Sequence, residues 1–321
     1  MTPSAAIIIP CWNGEAFLAR AIASARAQAY PDLEIVVIDD GSSDGSLAVI
    51  EAFAPAVRWA SFPNAGASAA RNRGLAMTGA DYVLFLDADD YLQPGSLPNW
   101  VEAAEREGAD VVLAPFAFET EGRLTGGPRP ARPVTAISVL CGWLEGRYTP
   151  PCAVLWRRRF LQGIGGWNAG GWDHWALRND DGELAMRAML RGAKVTAAEA
   201  GQAVYVQHES PGRISHRADT AVFACELSVL ESLWSLAMEE EARALQAVFA
   251  RAFYRVAYGA YAIGAGETGR EALGRARSLG FNGHIGSATH RAASRLLGLR
   301  CKMRLVAVLR SALGGRPQGK A

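Results

Sequence analysis

The stretch Tyr82-Val83-Leu84-Phe85-Leu86-Asp87-Ala88-Asp89-Asp90 decides the fold of this protein. An apolar run that is too short for a typical helix ends abruptly in three carboxylates. Such a run is typical of a strand that is buried on both faces of a parallel sheet. Ligand crevices in these sheets lie beyond the carboxyl ends of the strands, where Asp87 and Asp89 would stand. The crowded carboxylates predict a site for Mg²⁺ or Mn²⁺, although a solvated acidic turn would have the same sequence.

The chain around this stretch alternates between strand-like and helix-like segments. The predicted strands near the start cover residues 5–10, 33–38 and 57–62, and the predicted helices cover residues 13–28, 44–53 and 68–77. Later segments predict a helix over 96–107, an extended segment over 110–118, a loop over 122–133, a strand over 152–156, a helix over 183–191, and strands over 195–198 and 203–207. Strands and helices that alternate with short connections indicate an α/β fold, with a mostly parallel sheet flanked by helices.

The strand pattern disappears at about residue 217, where Ala/Leu/Arg-rich helical segments begin. We therefore predict a first domain over residues 1–215 and a helical C-terminal extension over residues 216–321. Five scattered cysteines without zinc or redox spacing favour reduced thiols and a cytoplasmic protein. We expect no signal peptide, and the longest uncharged apolar stretch, residues 256–266, is too short to span a bilayer.

The basic charge of the chain is concentrated at its end. Residues 272–321 contain ten Lys or Arg and no Asp or Glu, although the net charge of the whole chain is only +1. One apolar stripe is predicted from Ala292, Leu296, Leu299, Met303 and Val306. A basic amphipathic helix of this kind favours a peripheral contact with the inner face of the cell membrane through residues 291–310. The alternative is that the helix docks on the negatively charged first domain.

Four motifs in fixed order across residues 10–89 carry a resemblance to a known family. They are Pro10-x-Trp12-Asn13, Asp39-Asp40-Gly41-Ser42-x-Asp44, Asn64-x-Gly66 with Ala70-Arg71-Asn72, and Asp87-Ala88-Asp89. Together they resemble a family 2 glycosyltransferase with the GT-A nucleotide-diphospho-sugar transferase fold. The resemblance implies a nucleotide-sugar donor, a divalent Mn²⁺ or Mg²⁺ ion, and inversion at the anomeric carbon. It continues more loosely to about residue 215.

The resemblance also implies a set of residues around the donor. The nucleotide sugar is expected to contact Pro10, Trp12, Asn13, Asp39, Asp40, Asn64, Arg71, Asp87 and Ala88. Within this set, Pro10, Trp12 and Asp40 would surround the base, Arg71 would face the diphosphate, and Asp87 would lie near the ribose. Most relatives have tyrosine where this chain has Trp12, which leaves the identity of the base open. The aspartates at 39 and 40 could instead cap a helix, and Arg71 could be a surface side chain.

The candidate metal ligands and the candidate general base lie in further segments of the chain. Asp89 is the implied metal ligand, and His208 is a further candidate for the metal or a phosphate, although a lone histidine is more often structural. The segment 179–184 resembles the acidic pair that precedes a helix in the family. Asp181 would be the general base, and Asp180 stands where relatives often have glutamate. An N-cap would explain Asp181 equally simply.

Glycine and tryptophan precede this pair in Gly165-Gly166-Trp167 and again at Trp172, His174 and Trp175. In the family such residues form part of the acceptor wall, and core packing is the alternative.

We expect a transferase that moves a sugar, with UDP as the expected carrier, onto a saccharide or lipid-linked acceptor, as in the assembly of cell-surface polysaccharides or glycans. A sugar nucleotidyltransferase would need a glycine-rich, basic first turn, which Cys11-Trp12-Asn13-Gly14 does not provide. A nucleotide-sugar-binding module without catalysis is the other alternative, and we would expect it to have lost Asp180 and Asp181. No motif indicates nucleic-acid binding, a Walker loop or a Ser-His-Asp arrangement.

Overall fold

The computed structural model describes residues 2–127, 134–169, 180–208, 219–237, 239–284, 294, 296 and 298–303. The chain divides into two compact units. The first unit consists of Met1–Trp143, Arg147–His174 and Asp180–Ser210, and the second of Leu144–Gly146, Trp175–Asn179 and Pro211–Ala321. The domain boundary predicted near residue 215 lies outside the described residues.

Strands and helices alternate through the first unit, and helices follow in the second. The strands are β1 (Ala5–Cys11), β2 (Leu33–Asp39), β3 (Arg58–Ser61), β4 (Tyr82–Phe85), β5 (Tyr91–Leu92), β6 (Val111–Leu113), β7 (Phe116–Thr120), β8 (Arg123–Gly126), β9 (Val154–Arg157), β10 (Val195–Ala197) and β11 (Ala203–Gln207). The helices are α1 (Leu18–Arg26), α2 (Ser46–Phe53), α3 (Ala67–Met77), α4 (Ser96–Glu107), α5 (Ala136–Leu144), α6 (Arg158–Gly163), α7 (Asp180–Leu190), α8 (Thr220–Leu236), α9 (Glu239–Ala262) and α10 (Gly266–Ser278).

A seven-stranded sheet in the order β10-β6-β9-β4-β1-β2-β3 forms the centre of the first unit. Its neighbouring strands are parallel except around β9, which runs antiparallel to β4 and to β6. Every residue of β1 and of β4 is buried, as expected of strands covered by helices on both faces. The α/β architecture predicted from the apolar run at residue 82 is therefore confirmed.

A second sheet, in the order β5-β11-β7-β8, differs from the sequence prediction. The segment 110–118 was predicted as one extended piece, but it forms β6 in the first sheet and β7 in the second. The change of sheet falls at Pro115, which has no N–H to donate to a ladder. Part of the predicted loop 122–133 is also a strand, because β8 pairs with β7 across Glu121 and Gly122, both at positive φ. Residues 128–133 of that loop lie outside the described residues.

Helix α1 was predicted from residue 13 but begins at Leu18. Helical spacing predicts a buried stripe of Phe17, Leu18, Ala21, Ile22 and Ala25. The last four are buried, whereas Phe17 lies before the helix and is only partly buried. The residues before it form turns instead, with Asn13 at φ 52°, because their polar groups bond to the loop after β2. Three short elements, β5, α5 and α6, have no counterpart in the sequence prediction.

The helical pattern predicted after residue 217 is confirmed in the described part by α8, α9 and α10. None of the helices in the described ranges is both long and apolar enough to cross a bilayer. The single apolar stripe predicted in the tail is wrong at Leu296, whose side chain is 85% exposed while Leu299 and Met303 are buried. Gly298 at φ 71° interrupts the regular helical spacing between them. Ala292 and Val306 lie outside the described residues, so the membrane contact stays a prediction.

The close approach of α3 to the central sheet gives a test of the packing. A Cβ atom on Gly74 would lie 2.3 Å from Cγ2 of Ile8 in β1. Gly74→Ala should therefore push α3 away from the sheet and lower the free energy of unfolding by about 1–3 kcal/mol. The matched control is Gly274→Ala in α10, where a Cβ would meet nothing within 4 Å. Urea denaturation of both variants checks this, and equal stability of the two would contradict the packing.

Candidate functional site

The loops that follow β1 and β2 are tied together at the carboxyl edge of the sheet. The N–H of Asn13 donates to Oγ of Ser42 at 3.0 Å, and its side-chain oxygen accepts from the N–H of Ser43 at 2.8 Å. Pro10, in the last part of β1, is buried just before this junction. Trp12 is 47% exposed beside it, so the structure presents a large aromatic surface at the edge where the base of a nucleotide was predicted.

Asp40 joins a third loop to these two. Its buried carboxylate accepts from the N–H of Ala65 at 3.1 Å and of Gly66 at 2.8 Å, and from Nη1 of Arg73 at 2.8 Å. Asn64 adds a bond from Nδ2 to the carbonyl oxygen of Asp40. The carboxylate that was predicted to contact the base is therefore surrounded by donors from the loop after β3 and from α3.

Asp39 likewise accepts hydrogen bonds from residues of the protein itself. Its carboxylate accepts from the N–H of Ser42 at 3.1 Å and from the hydroxyl of Ser61 at 2.6 Å. Helix capping, the alternative for residues 39 and 40, does not occur, because α2 begins after Gly45 and its first turn bonds to Asp44. Both aspartates instead fix the shape of the loops.

Arg71 lies at the centre of the site. It is 4% exposed, and its Nη2 donates to Oδ1 of Asp87 at 2.6 Å while Nη1 donates to Oδ2 of Asp180 at 2.8 Å. The guanidinium also lies over the ring of Trp167, with Cζ 4.2 Å from the ring centroid. Burial opposes the charge, but the two aspartates outweigh it and raise the pKa of Arg71. Arg71 is therefore not a surface arginine, and its predicted contact with the diphosphate stays a prediction.

The acidic turn after β4 brings together two segments that are far apart in sequence. Oδ2 of Asp89 lies 2.9 Å from Nε2 of His208, which follows β11. The imidazole stacks on the ring of Phe17 at a centroid distance of 4.6 Å. Ala88 is partly buried between Asp87 and Asp89. The two predicted metal ligands therefore lie next to each other, and Phe17 orients the histidine ring.

The pKa values of the other two carboxyl groups of the turn are raised. Burial raises the pKa of Asp87, Arg71 opposes that rise, and Asp89 adds to it. Burial, with Asp89 and Asp87 next, raises the pKa of Asp90 well above its ordinary range. The carboxyl groups of the turn thus disfavour ionisation of one another, and a nearby cation would favour it.

We tested whether Asp89 and His208 suit a divalent ion. Donors at about 2.1 Å from one octahedral ion lie about 3.0 Å apart, close to the 2.9 Å between Oδ2 and Nε2. A carboxylate with an imidazole suits Mn²⁺, and both side chains are partly exposed. In the ranges described, no group of three His, Cys, Asp or Glu could hold an ion. The pair fits an ion that takes its remaining ligands from substrate and water.

Asp181 lies in the first turn of α7, beside Asp180. The helix begins at Asp180, three residues earlier than predicted, and residue 179 lies outside the described residues. Oδ2 of Asp180 accepts from the hydroxyl of Ser68 at 2.7 Å as well as from Arg71. Burial and the charge of Asp180 raise the pKa of Asp181 to about 7, against the pull of Arg71. This value suits a general base near neutral pH.

The predicted acceptor wall is only partly described. Trp172, His174 and Trp175 lie outside the described residues, and Trp167 is 3% exposed and packs edge-on against Phe85. Trp167 is thus a core residue, as the alternative interpretation held. Asn72 bonds to both the N–H and the C=O of Trp167, and this amide leaves no room for a side chain at Gly166.

Sequence reasoning assigned no role in the site to four residues that shape it. They are Phe17 against His208, Ser68 on Asp180, Arg73 on Asp40, and Asn72 on Trp167. Helical spacing offered a partial signal, because Ser68 and Arg71 are three residues apart on one face of α3. Nothing in the sequence indicates the contact of Phe17 with a residue so distant along the chain.

Comparisons with known proteins agree with this architecture. The sequence profile of the family described as Glycosyl transferase family 2 matches residues 6–162. The chain is 35% identical over 123 residues to the poly(ribitol-phosphate) beta-N-acetylglucosaminyltransferase TarP of Staphylococcus aureus, covering 36% of this chain and 38% of that protein. It is 33% identical over 128 residues to the GalNAc(5)-diNAcBac-PP-undecaprenol beta-1,3-glucosyltransferase of Campylobacter jejuni, covering 38% of this chain and 41% of that protein. The chain thus spans about two fifths of the length of these curated relatives.

A solved structure resembles almost the whole chain. The crystal structure of S. aureus TarS 1-349 in complex with UDP-GlcNAc matches with a TM-score of 0.71 and 18% identity, covering 98% of this chain and 93% of that one. At this identity the likeness concerns the fold, which is the one predicted from the sequence.

The raised pKa of Asp181 predicts how stability depends on pH. In the unfolded chain an aspartate titrates at about 3.9, whereas the folded value is about 7. The native state holds the proton more tightly, so stability falls as pH rises between these two values. Asp181→Asn removes this loss. The variant should equal the wild type at pH 4 and exceed it at pH 8 in urea denaturation. A constant difference between the two proteins across this range would contradict the assignment.

Proposed function

We propose that this chain, whose residues 6–162 belong to glycosyl transferase family 2, transfers a sugar from a nucleotide diphosphate to an acceptor hydroxyl with inversion. The observation that carries the proposal is the bridge made by Arg71. One buried guanidinium holds Asp87, in the predicted donor turn, and Asp180, beside the predicted base. The predicted donor turn and the segment of the predicted base are thus linked through one side chain, which supports a single displacement at this place.

UDP is the nucleotide that we propose for the donor. TarS binds UDP-GlcNAc, and TarP is an N-acetylglucosaminyltransferase, so relatives in fold and in sequence point to such donors. In this chain the exposed Trp12 would stack on the base, with Pro10 and Asn13 beside it. Asp39, Asp40 and Asn64 would act by holding the three loops that form the base pocket.

The proposed reaction is an in-line displacement. An acceptor hydroxyl oxygen forms a bond to the anomeric carbon while the bond from that carbon to the diphosphate oxygen breaks. The hydroxyl proton passes to the carboxylate of Asp181, and the electron pair of the broken bond leaves with the nucleoside diphosphate. Asp180 orients the first turn of α7 through Ser68 and Arg71, which keeps Asp181 next to the reacting hydroxyl.

A divalent ion, Mn²⁺ or Mg²⁺, is part of the proposal. Asp89 and His208 would hold it, and when bound it would neutralise the negative charge of the diphosphate. Asp87 stands beside this pair and would contact the ribose, with Arg71 keeping its carboxylate in place.

The proposed acceptor is a saccharide or lipid-linked glycan, as in the assembly of cell-surface polymers. TarP and the Campylobacter jejuni transferase act, by their names, on a polyol phosphate polymer and on an undecaprenol-linked saccharide. A nucleotidyltransferase is disfavoured because the loop after β1 is bonded through Asn13 to its neighbour and carries no basic residue. A binding module without catalysis would not need a carboxyl group with the raised pKa of Asp181.

Donor binding tests the metal pair. Asp89→Ala should remove the dependence of UDP binding on Mn²⁺ and leave the fold intact, because Asp89 stands in a surface turn. Calorimetry with UDP, with and without Mn²⁺, measures it. The matched control is Glu107→Ala, which removes an exposed carboxylate at the end of α4 that forms an ion pair with its neighbour Arg106. A Mn²⁺ effect that survives in Asp89→Ala refutes the metal assignment.

Transfer rates test the base. Asp181→Asn is nearly isosteric but cannot accept a proton, so transfer should fall by at least about 10²-fold while UDP affinity stays close to that of the wild type. In the wild type, kcat/KM should rise with pH through about 7 as Asp181 loses its proton, and the variant should lack this rise. Transfer by the variant within a few-fold of the wild type would move the role of base to Asp180.

A further inference from the structure

We propose that Asp90 is a positioning residue that sets the separation between Asp89 and His208. The inference rests on the proposed function, because it concerns the ion that these two residues would hold. Asp90 is the third carboxylate of the acidic turn, and the reaction described above does not use it. Its side chain is fully buried, at 0% exposure, in contrast to the partly exposed Asp89 and His208.

One hydrogen bond of Asp90 joins the two segments that carry the predicted ligands. Its Oδ1 accepts from the backbone N–H of Val206 at 2.9 Å, across 116 residues of sequence. Asp89 precedes Asp90 directly, and His208 follows Val206 by two residues. The bond therefore fixes the acidic turn against the end of β11 next to both ligands.

The hydrogen bond from Val206 to Asp90 lies just beyond the last backbone pair of β5 and β11. Strand β5 pairs with β11 only at Leu92 with Ala203 and at Tyr91 with Val204. The carboxylate of Asp90 then supplies the next acceptor for β11, in place of a main-chain carbonyl. The backbone N–H of Asp90 also donates to the carbonyl of Asp87 at 3.0 Å, which closes the turn.

Asp90 acts through its neighbours and not as a ligand. Its bonded oxygen faces β11, and its burial keeps it from substrate. Residues that orient metal ligands typically change metal affinity by 10- to 100-fold when they are removed. Loss of the Asp90 acceptor would release the acidic turn from the end of β11, which stays paired with β7, and would let the distance between Asp89 and His208 vary.

The test compares Asp90→Ala, which removes the acceptor, with Asp90→Asn, which keeps an oxygen for the N–H of Val206. Ser96→Ala is the matched control: Ser96 is also buried, and its Oγ accepts from the N–H of Gln202 before the other end of β11. The measurement is Mn²⁺ affinity by calorimetry on UDP-saturated protein, together with UDP affinity in EDTA.

We expect Asp90→Ala to bind Mn²⁺ about 10- to 100-fold more weakly, while Asp90→Asn and Ser96→Ala stay within about threefold of the wild type. UDP affinity in EDTA should be the same in all four proteins. Wild-type Mn²⁺ affinity in Asp90→Ala overturns the proposal, and so does a tenfold loss in Asp90→Asn, since that loss would mean that charge and not the hydrogen bond matters.

Two further variants separate the outcomes. If Asp90→Ala does not fold, Asp90→Leu takes its place, because leucine fills the volume of the aspartate without a hydrogen-bond acceptor. If neither variant folds, the Mn²⁺ affinity of Asp90→Asn decides between the two explanations. Asp89→Ala belongs in the same series. Unchanged Mn²⁺ affinity in Asp89→Ala refutes the metal site itself, whereas loss there with wild-type affinity in Asp90→Ala refutes only the role of Asp90.

Discussion

The buried charge of Arg71 is the constraint on which the rest of the site depends. A guanidinium that is 4% exposed is costly unless carboxylates compensate it, and here Asp87 and Asp180 do so. These aspartates come from the end of β4 and the start of α7, so the same ion pairs that stabilise the charge also bring the two halves of the site together. Trp167 covers the guanidinium from one side and completes its enclosure.

The charge of Asp181 is disfavoured by its surroundings, whereas the charge of Arg71 is stabilised by its neighbours. Asp181 lies next to Asp180 in the same buried region, but Asp180 is already engaged with Ser68 and Arg71. Burial and that neighbouring charge keep the pKa of Asp181 near 7, which costs stability at neutral pH. A carboxylate that is unfavourable in the folded state is a ready proton acceptor, so stability and the proposed chemistry oppose each other at this residue.

The second sheet positions His208, one of the two predicted metal ligands. Strand β11 carries His208 to the acidic turn, where Phe17 stacks on its ring and the bond from Val206 to Asp90 holds the strand end. The proposed metal pair therefore depends on the pairing of β5 with β11 and on the contact of Phe17, just before α1, with His208, just after β11. These contacts join segments more than 100 residues apart, unlike the neighbouring loops that surround Asp39 and Asp40.

The sequence by itself determined the central sheet, because uninterrupted apolar runs such as Tyr82–Phe85, within strand–helix alternation, are typical of strands covered by helices on both faces. The strand end likewise pointed to Asp87 and Asp89, since the carboxyl ends of parallel strands meet at one edge, whereas Asp181 was identified by the family resemblance of segment 179–184. Only the tertiary structure decided that residues 110–118 divide between two sheets and that Arg71 bridges two aspartates. It also decided that Trp167 is a core residue. Its partners Phe85 and Arg71 are distant along the chain, so no sequence periodicity indicates the contacts.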